Sequence, residues 1–256
     1  MSAFFRAEEF NLRFAKRTHI GKVRKLNEDF GLIREQEPWL MVVADGMGGH
    51  NAGEIASCMA AEEVLRTVEE GGMGGPAEIS RAVERANSMV YEHSRSDSGC
   101  SGMGTTLGLA LGGEGEAIVA NVGDSRAYHF SHASGRLRQV TRDHSLVQEL
   151  ISAGRLTKEE AQNYPFRNVI MRAVGTSPAV TADLFEVELE QGDALLLCTD
   201  GMTNHVSDEQ IQDVLSGMDD PDCACDALVD LALTGGGRDN IPVAIACRPR
   251  AGGDGR

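Results

Sequence analysis

Three runs of mostly apolar residues in this 256-residue chain are each followed, at once or after one residue, by an aspartate. The runs cover residues 39–44, 117–122 and 195–198, and the aspartates are Asp45, Asp124 and Asp200. A fourth aspartate, Asp239, stands shortly before the apolar residues 241–247. Short apolar runs are typical of buried strands, and strands that end in carboxylates would gather negative charge at one edge of a core. Because such a cluster repels itself unless cations lie between its members, the pattern predicts a site for hard metal ions.

The residues available for this predicted site offer oxygen ligands. An Asp-Gly pair taken alone is often only a turn, and that alternative stays open for each pair singly. His50, His144 and His205 lack the spacing of a histidine metal motif, so magnesium, manganese or calcium is favoured over zinc or copper. No D-x-D-x-D-G spacing occurs, which argues against a calcium-binding loop. Two ions about 3.5–4 Å apart that share a carboxylate would account for several aspartates, and such pairs activate water and hold a phosphoryl group.

A phosphoryl substrate would also need a positively charged side chain. Arg24 stands shortly before Asn27-Glu28-Asp29, and a guanidinium can hold a phosphate through two parallel hydrogen bonds. A single arginine at a strand end is equally a solvated surface charge, so both interpretations stay open at this point.

The acidic balance of the chain limits its partners. The net charge is −15, from 39 acidic and 24 basic residues, whereas a general nucleic-acid binder needs a basic surface. The same charge argues against docking on anionic lipid. The excess acid either covers an ordinary soluble surface or is partly gathered around cations.

The sequence predicts a cytoplasmic protein without a membrane segment. The first 17 residues are too rich in charge for the apolar core of a signal peptide, and no apolar stretch approaches about 20 residues. The six cysteines are scattered, and Cys223 and Cys225 lack the paired spacing of a zinc site. Reduced thiols in the cytoplasm are the simplest interpretation.

The order of the predicted elements favours an α+β domain. Helices are predicted over residues 52–69 and 76–95, the first with Ile55, Cys58, Met59, Leu65 and Val68 facing inward. Strands are predicted for two segments around Gly21, for 39–44, and then in a run at 103–112, 115–122, 125–130 and 136–140. Further strands at 181–189, 193–199 and 240–248 alternate with short helices that begin at the capping boxes 157–160 and 207–210 and near residue 222. The lack of strict β-α-β alternation argues against a doubly wound sheet.

Eight short motifs, in order, give the chain its resemblance to a known family. They are R-x-x-N-E-D at 24–29, D-G-M-G-G-H at 45–50, M-G-T-T at 103–106, G-D-S-R at 123–126, D-H-S at 143–145, R-N-V-I at 167–170, T-D-G at 199–201 and R-D-N-I at 238–241. Over residues 10–248 the chain resembles the metal-dependent Ser/Thr protein phosphatases of type 2C, in their bacterial form. Each motif is modest alone, and their shared order makes a coincidence improbable.

The resemblance implies a fold and a division of the chain. The fold is a β-sandwich of two antiparallel sheets with α-helices on both outer faces. Residues 1–9 would form an extension, residues 10–248 the catalytic domain, and residues 249–256 a flexible tail. Residues 141–178 resemble the family's flap beside the active site, whose positive charges either help to select substrates or are ordinary surface charge.

The resemblance also implies a centre of two manganese or magnesium ions. Asp45 would bridge the two ions, and the Gly46 carbonyl would reach one of them. Asp200 and Asp239 would complete the other ion's shell. Asp124, together with Asp200, matches the position that holds a third, weaker metal in bacterial members.

The implied reaction is direct attack of metal-bridging water on phosphorus, without a phosphoenzyme. Arg24 would anchor the substrate phosphate, and Asp29 would orient the metal-bound water. The eukaryotic branch has a histidine where this chain has Met47, so the nearby His50 is a candidate general acid, with a structural role as the alternative. Two further departures from the family pattern, at Tyr164-Pro165 and Pro242, do not involve the implied ligands.

The implied partners are phosphorylated proteins and a bacterial Hanks-type Ser/Thr kinase whose action the enzyme would oppose. The sequence predicts a monomer that binds neither nucleic acid nor membrane. Two alternatives remain: a non-catalytic module of the same fold, although no implied ligand is missing, and another two-metal hydrolase such as a phosphodiesterase or nuclease.

Overall fold

Two antiparallel sheets form the centre of the computed structural model, which describes residues 12–49, 52–71, 75–113, 115–162 and 164–250. The strands of these ranges are β1 (Arg13–His19), β2 (Phe30–Arg34), β3 (Trp39–Ala44), β4 (Gly46–Met47), β5 (Gly104–Thr105), β6 (Leu107–Gly113), β7 (Glu116–Val122), β8 (Arg126–Ser131), β9 (Arg136–Gln139), β10 (Asp183–Glu188), β11 (Ala194–Cys198) and β12 (Ile241–Cys247). One sheet has the order β1-β12-β11-β8-β9, and the other has the order β10-β7-β6-β3-β2. The short strands β4 and β5 pair with each other.

Helices cover the outer face of each sheet, α1 (Ala52–Gly71) and α2 (Pro76–Ser96) on one and α5 (Asp200–Thr203), α6 (Asp208–Ser216) and α7 (Pro221–Thr234) on the other. The remaining helices are α3 (Leu146–Ser152) and α4 (Lys158–Gln162), and a 3-10 turn at Ser98–Cys100 follows α2. No helix in the described ranges is both long and apolar enough to cross a lipid bilayer.

Three apolar cores separate the four layers, and strand β3 shows how. Its Leu40 and Val42 pack in the core shared with α1 and α2, whereas Met41 and Val43 pack between the sheets. Strand β11 contributes in the same way to the middle core and to the third core, under α6 and α7. Strands buried on both faces read as continuous apolar runs, which is why these runs were conspicuous in the sequence. The predicted helix-flanked β-sandwich is confirmed.

The predicted inward face of α1 is correct for Val68, which is buried, and for Met59 and Leu65, which pack against the core, but it is wrong for Ile55. The buried positions of this helix are mainly small residues such as Ala56, Ala60 and Ala61, whereas Ile55 is exposed. The helix begins in close contact with the loops that precede it: a side chain at Gly53 would collide with the backbone of Gly46. A helix that approaches backbone this closely needs small side chains on that face, and this close approach overrides the larger apolar positions.

Three other expectations about local structure need correction or detail. The predicted strand 103–112 is interrupted at Thr106 and becomes β5 and β6. Helix α3 lies in the predicted flap, where no helix was expected before residue 157. Pro242 is opposite Thr18 of β1 and lies beyond the residues of β12 that pair with β11, so its missing N–H falls near the end of the ladder.

Candidate active site

Aspartates from both sheets meet at one end of the sandwich. Asp29 leads into β2, Asp45 follows β3, Asp124 lies between β7 and β8, Asp200 begins α5 after β11, and Asp239 precedes β12. The carboxyl group of Asp45 is close enough to the other four for their charges to act on it. The sequence-predicted carboxylates are therefore brought together, as buried strands ending at one edge require.

Burial and mutual repulsion favour the protonated form of Asp29, Asp45, Asp124 and Asp200 in the absence of cations. Burial raises the pKa of Asp45 well above its usual range, and repulsion from Asp29 and Asp200 adds to the effect. Burial, together with repulsion from Asp200 and Asp143, raises the pKa of Asp124 to about 7. The pKa values of Asp29 and Asp200 are raised for the same two reasons. A cluster of this kind is stable in its charged form only with cations between its members.

Two oxygens of the cluster lack a protein partner. Asp124 Oδ1 and Asp200 Oδ1 are the carboxylate oxygens among the buried polar atoms of the described residues that have no hydrogen-bond partner. The second oxygen of Asp200 accepts a hydrogen bond from Asn204 Nδ2 at 3.1 Å. Oxygens left unsatisfied in this way are costly unless another group binds them. The donor set, all oxygen, fits magnesium or manganese ions.

The backbone of Asp45 is fixed by the two threonines of the M-G-T-T motif. Its N–H donates to Thr106 Oγ1 at 2.9 Å, and its carbonyl accepts from Thr105 Oγ1 and from the Thr106 N–H, both at 2.9 Å. Thr106 Oγ1 also bonds Ser125 Oγ at 2.7 Å, beside Asp124. This chain of hydrogen bonds sets the positions of two aspartates from different loops relative to each other.

Asn240 plays the corresponding part for the loop that carries Arg24 and Asp29. Its amide nitrogen donates to the carbonyls of Ile20 and Leu26, both at 3.0 Å, and its oxygen accepts from the Glu28 N–H at 2.8 Å. Thr199 Oγ1 donates to Asp29 Oδ2 at 3.0 Å. The side chains of Thr199 and Asn240 are buried, and their hydrogen bonds fix the loop that carries Arg24 and Asp29. The motifs that contain Thr106, Thr199 and Asn240 were visible in the sequence, but nothing in a linear pattern showed what they bind.

Close backbone contact explains the glycines after Asp45 and Asp200. A side chain at Gly46 would meet the carbonyl oxygen of Gly53 at 2.1 Å, and one at Gly201 would meet the carbonyl oxygen of Asn240 at 1.9 Å. Each aspartate therefore sits on a turn packed directly against another segment of backbone. The Gly46 carbonyl oxygen itself lies near Gly53, and its part as a metal ligand stays a prediction.

Arg24 lies at the carboxylate cluster. Its Nη2 is 2.8 Å from Asp239 Oδ2, and its Nη1 is 3.7 Å from Glu28. The arginine side chain is about half exposed, so it faces the cluster on one side and solvent on the other. Arg24 is therefore a partly solvated charge that is also paired with the cluster, and its role as the phosphate anchor stays a prediction.

The segment 141–178 is tied to the site by buried polar contacts. Asp143 pairs with Arg126 at 2.7 Å, and His144 Nδ1 accepts from the Gly123 N–H at 3.1 Å. Near the other end of the segment, Val174 pairs with Thr105. Of its predicted positive charges, Arg172 is bound to Asp183 and the carbonyl of Thr181, while Arg155 and Lys158 lie in exposed positions. The positive charge of this segment is thus partly neutralised, because Arg172 is paired with Asp183.

Met47 lies within the described residues, whereas the candidate general acid His50 does not. His50 lies outside the described residues, so its candidacy as general acid stays a prediction. Met47, which stands where the eukaryotic branch has histidine, is the second residue of β4 and pairs with Gly104. A methionine in that place cannot act as a general acid, because its thioether has no ionisable proton.

Comparison with known proteins assigns the class of this molecule. A model of the protein phosphatase 2C family matches residues 17–221, which is most of the chain. The chain therefore belongs to the protein phosphatase 2C family of serine/threonine phosphatases, as its fold and carboxylate cluster indicate.

Particular relatives extend the likeness over nearly the whole chain. The serine/threonine phosphatase stp of Listeria welshimeri is 37% identical over 240 residues, which are 91% of this chain and 94% of the relative. The crystal structure of the Mycobacterium tuberculosis serine/threonine phosphatase PstP/Ppp has 37% identity and a TM-score of 0.85, covering 93% of this chain and 99% of that one. A structure of the PstP catalytic domain in complex with 2 manganese ions has 37% identity and a TM-score of 0.82, covering 92% and 97%.

Proposed function

We propose that this chain hydrolyses phosphoserine and phosphothreonine in proteins, with two manganese or magnesium ions held by the aspartate cluster. The observation that carries the proposal is the meeting of buried aspartates from both sheets, two of them with unpartnered oxygens, directly beside an arginine. The relative that contains two manganese ions supports the choice of metal. Bound ions would supply an activated water molecule and offset the charge of the phosphoryl group.

In this proposal the ligands divide between two positions. Asp45, central to the cluster, would be a ligand of both ions, and the Gly46 carbonyl would be a ligand of one of them. Asp200 and Asp239 would hold the other ion. Asp124 and Asp200, each with an unpartnered oxygen, would hold a third and weaker ion.

The remaining groups bind the substrate and direct the proton. Arg24 turns from Asp239 towards a phosphate oxygen, which a guanidinium can bind through two N–H groups. Asp29, oriented by Thr199, accepts a hydrogen bond from the attacking water and aligns it. A thiol nucleophile is not favoured near this site, since burial raises the pKa of Cys198 far above its ordinary value.

The test measures the hydrolysis of p-nitrophenyl phosphate and of a phosphothreonine peptide in the presence of manganese ions. We expect Asp45→Asn to lower kcat by more than about 100-fold, because loss of a direct ligand exceeds the 10–100-fold effect of losing a supporting group. Asp213→Asn, an exposed aspartate on α6, is the matched control and should keep full activity. Unchanged turnover in a folded Asp45→Asn protein would contradict the proposal.

Bis-p-nitrophenyl phosphate separates the alternatives. The proposal expects the monoester to be hydrolysed much faster than this diester. A preference for the diester would favour a phosphodiesterase or nuclease, and no hydrolysis of either, despite metal binding, would favour a non-catalytic module.

In the cell we propose a cytoplasmic, monomeric enzyme that opposes a Ser/Thr kinase. Replacing the gene with an Asp200→Ala allele should raise phosphorylation of specific serines and threonines. Fractionation and light scattering test the compartment and the monomer. An unchanged phosphoproteome would argue against the kinase partnership.

A further inference from the structure

A second group of potential metal ligands lies after helix α2, formed by His93, Asp97 and Cys100. One ligand atom from each of these side chains lies within 4.8 Å of the other two. The three residues offer nitrogen, oxygen and sulfur, whereas the aspartate cluster offers oxygen alone. We propose that His93, Asp97 and Cys100 bind a zinc ion or a similar transition-metal ion, with water as the fourth ligand.

Local structure brings the three side chains together. His93 lies in the last turn of α2, and Asp97 follows the helix as its C-cap, with its N–H donating to the His93 carbonyl at 3.1 Å. Cys100 ends the 3-10 turn that follows, and its N–H donates to the Asp97 carbonyl at 3.1 Å. Asp97 Oδ1 accepts from the Gly99 N–H at 2.8 Å, which orients the carboxylate and leaves Oδ2 for an ion. The backbone that carries the ligands is therefore already ordered.

The distances suit a tetrahedral zinc site after a small adjustment. Zinc binds histidine nitrogen and carboxylate oxygen at about 2.0–2.2 Å and thiolate sulfur at about 2.3 Å, so tetrahedral ligands lie about 3.3–3.8 Å apart. The three ligand atoms lie within 4.8 Å of one another, so their separations exceed these values by no more than about 1.0–1.5 Å. Asp97 is exposed and His93 half-buried, so rotation of these side chains towards the buried Cys100 would close the difference.

An ion has an approach to this position. A cleft of about 900 Å³ is lined by polar residues that include Asp97 and its neighbours Ser94, Ser96 and Ser98. Arg95 also lines the cleft, and its guanidinium lies over the ring of Tyr91 at 5.6 Å. Asp97 therefore belongs both to the ligand group and to the wall of a solvent-filled cleft, whereas Cys100 is only 4% exposed. A metal with open water access on one side and a shielded thiolate on the other matches a three-ligand site.

The position links the ion to the segment that fixes Asp45. The Met103 N–H donates to the Cys100 carbonyl at 3.1 Å, and Thr105 and Thr106 follow after Gly104. Gly175 and Thr176, from the end of the flap segment, line the same cleft. An ion at this site would brace the start of the M-G-T-T segment without touching the aspartate cluster.

Cobalt absorption tests the proposal in the full-length protein. The protein is stripped with a chelator, kept reduced, and supplied with saturating magnesium so that the aspartate cluster is filled with a hard ion. Addition of Co²⁺ should then produce a thiolate-to-cobalt charge-transfer band that zinc removes in one-to-one proportion. A site of oxygen ligands alone cannot give this band, so the readout is independent of phosphatase activity.

Variants assign the band to the three residues. Cys100→Ser should abolish it, and His93→Gln should weaken the binding of Co²⁺ by about tenfold or more. Cys223→Ser removes an exposed thiol elsewhere and should leave the band unchanged. Absence of the band in the wild-type protein, its survival in Cys100→Ser, or its loss in Cys223→Ser would each overturn the proposal. If Cys100→Ser does not fold, His93→Gln decides, because its side chain is only partly buried.

Discussion

Buried carboxylates occur in two very different settings in this protein. Glu63 on α1 has a side chain that is only 1% exposed, and it is bound by Arg85 at 2.8 Å, by Arg66 and by Thr67. The aspartates at the end of the sandwich are also largely buried, but within the described ranges Arg24 is the arginine that forms an ion pair with a member of that cluster. Both arrangements place acid in a low-dielectric setting, and only the first supplies enough positive charge to balance it.

The difference indicates which carboxylates serve the fold and which serve chemistry. A buried carboxylate surrounded by arginines is complete within the chain and has no need of a ligand. A cluster of aspartates with unpartnered oxygens is incomplete, and its missing charge must come from outside. Changes at the two places should therefore have opposite effects on the metal-free protein.

The largest effect is expected at Asp200. Asp200→Asn removes one charge from the cluster and a proposed ligand, so manganese-dependent hydrolysis should fall by more than about 100-fold. The same change should raise the melting temperature of the metal-free protein, because it relieves repulsion with Asp45 and Asp239. Calorimetry with and without chelator measures this gain. A variant that loses stability in metal-free buffer would contradict the contrast with Glu63.

The pH dependence of the metal-free protein is the next test. The pKa of Asp124 is about 7 in the folded protein, against an ordinary value near 3.8, so the folded state holds a proton that the unfolded state releases. The contribution of this group to the free energy of unfolding is present below about pH 4 and is lost as the pH rises towards about 7. Melting temperatures of the wild type and Asp124→Asn, measured from pH 4 to pH 8, should therefore separate progressively in favour of the variant. Saturating manganese should abolish this difference in melting temperature. Parallel curves for the two proteins without metal would contradict the raised pKa of Asp124.

Glu63→Gln tests the completed carboxylate. We expect a loss of about 2 kcal/mol in the free energy of unfolding, since charged hydrogen bonds to Arg66 and Arg85 are lost. A change of this size corresponds to about 4–8 °C in melting temperature for a domain of this length. The kcat in saturating manganese should be unchanged, because Glu63 is not part of the aspartate cluster. A large fall in kcat would mean that the two settings are coupled.

Thr106→Val alters the side chain least among these variants and joins stability to metal binding. It keeps the shape of the side chain but removes the acceptor of the Asp45 N–H and the contact with Ser125. A loss of about 1–3 kcal/mol in stability and about tenfold in manganese affinity is expected. Calorimetric titration with manganese gives the affinity. Thr176→Val, which loses a hydroxyl contact within the flap segment, is the control that should leave manganese affinity unchanged.

The apolar runs were readable from the sequence because strands buried on both faces contain few polar residues. Their endings in Asp45, Asp124 and Asp200 therefore predicted both strand positions and a cluster of acid, and the structure places these residues together. The family motifs predicted the sandwich and its outer helices, which are confirmed. The small-residue part of the buried face of α1 was beyond this reasoning, because hydrophobic periodicity reports apolar character and not how closely another backbone approaches.

The sequence by itself determined which segments are buried and which chemical groups stand at their ends, since these properties depend on neighbours along the chain. Tertiary structure alone decided which charges are neutralised. Glu63 meets Arg85 from the next helix, Arg24 meets Asp239 from the far end of the chain, and Thr106 meets Asp45 and Ser125. Hydrogen bonds and ion pairs act over about 3–4 Å, so their partners are fixed only once the layers have packed.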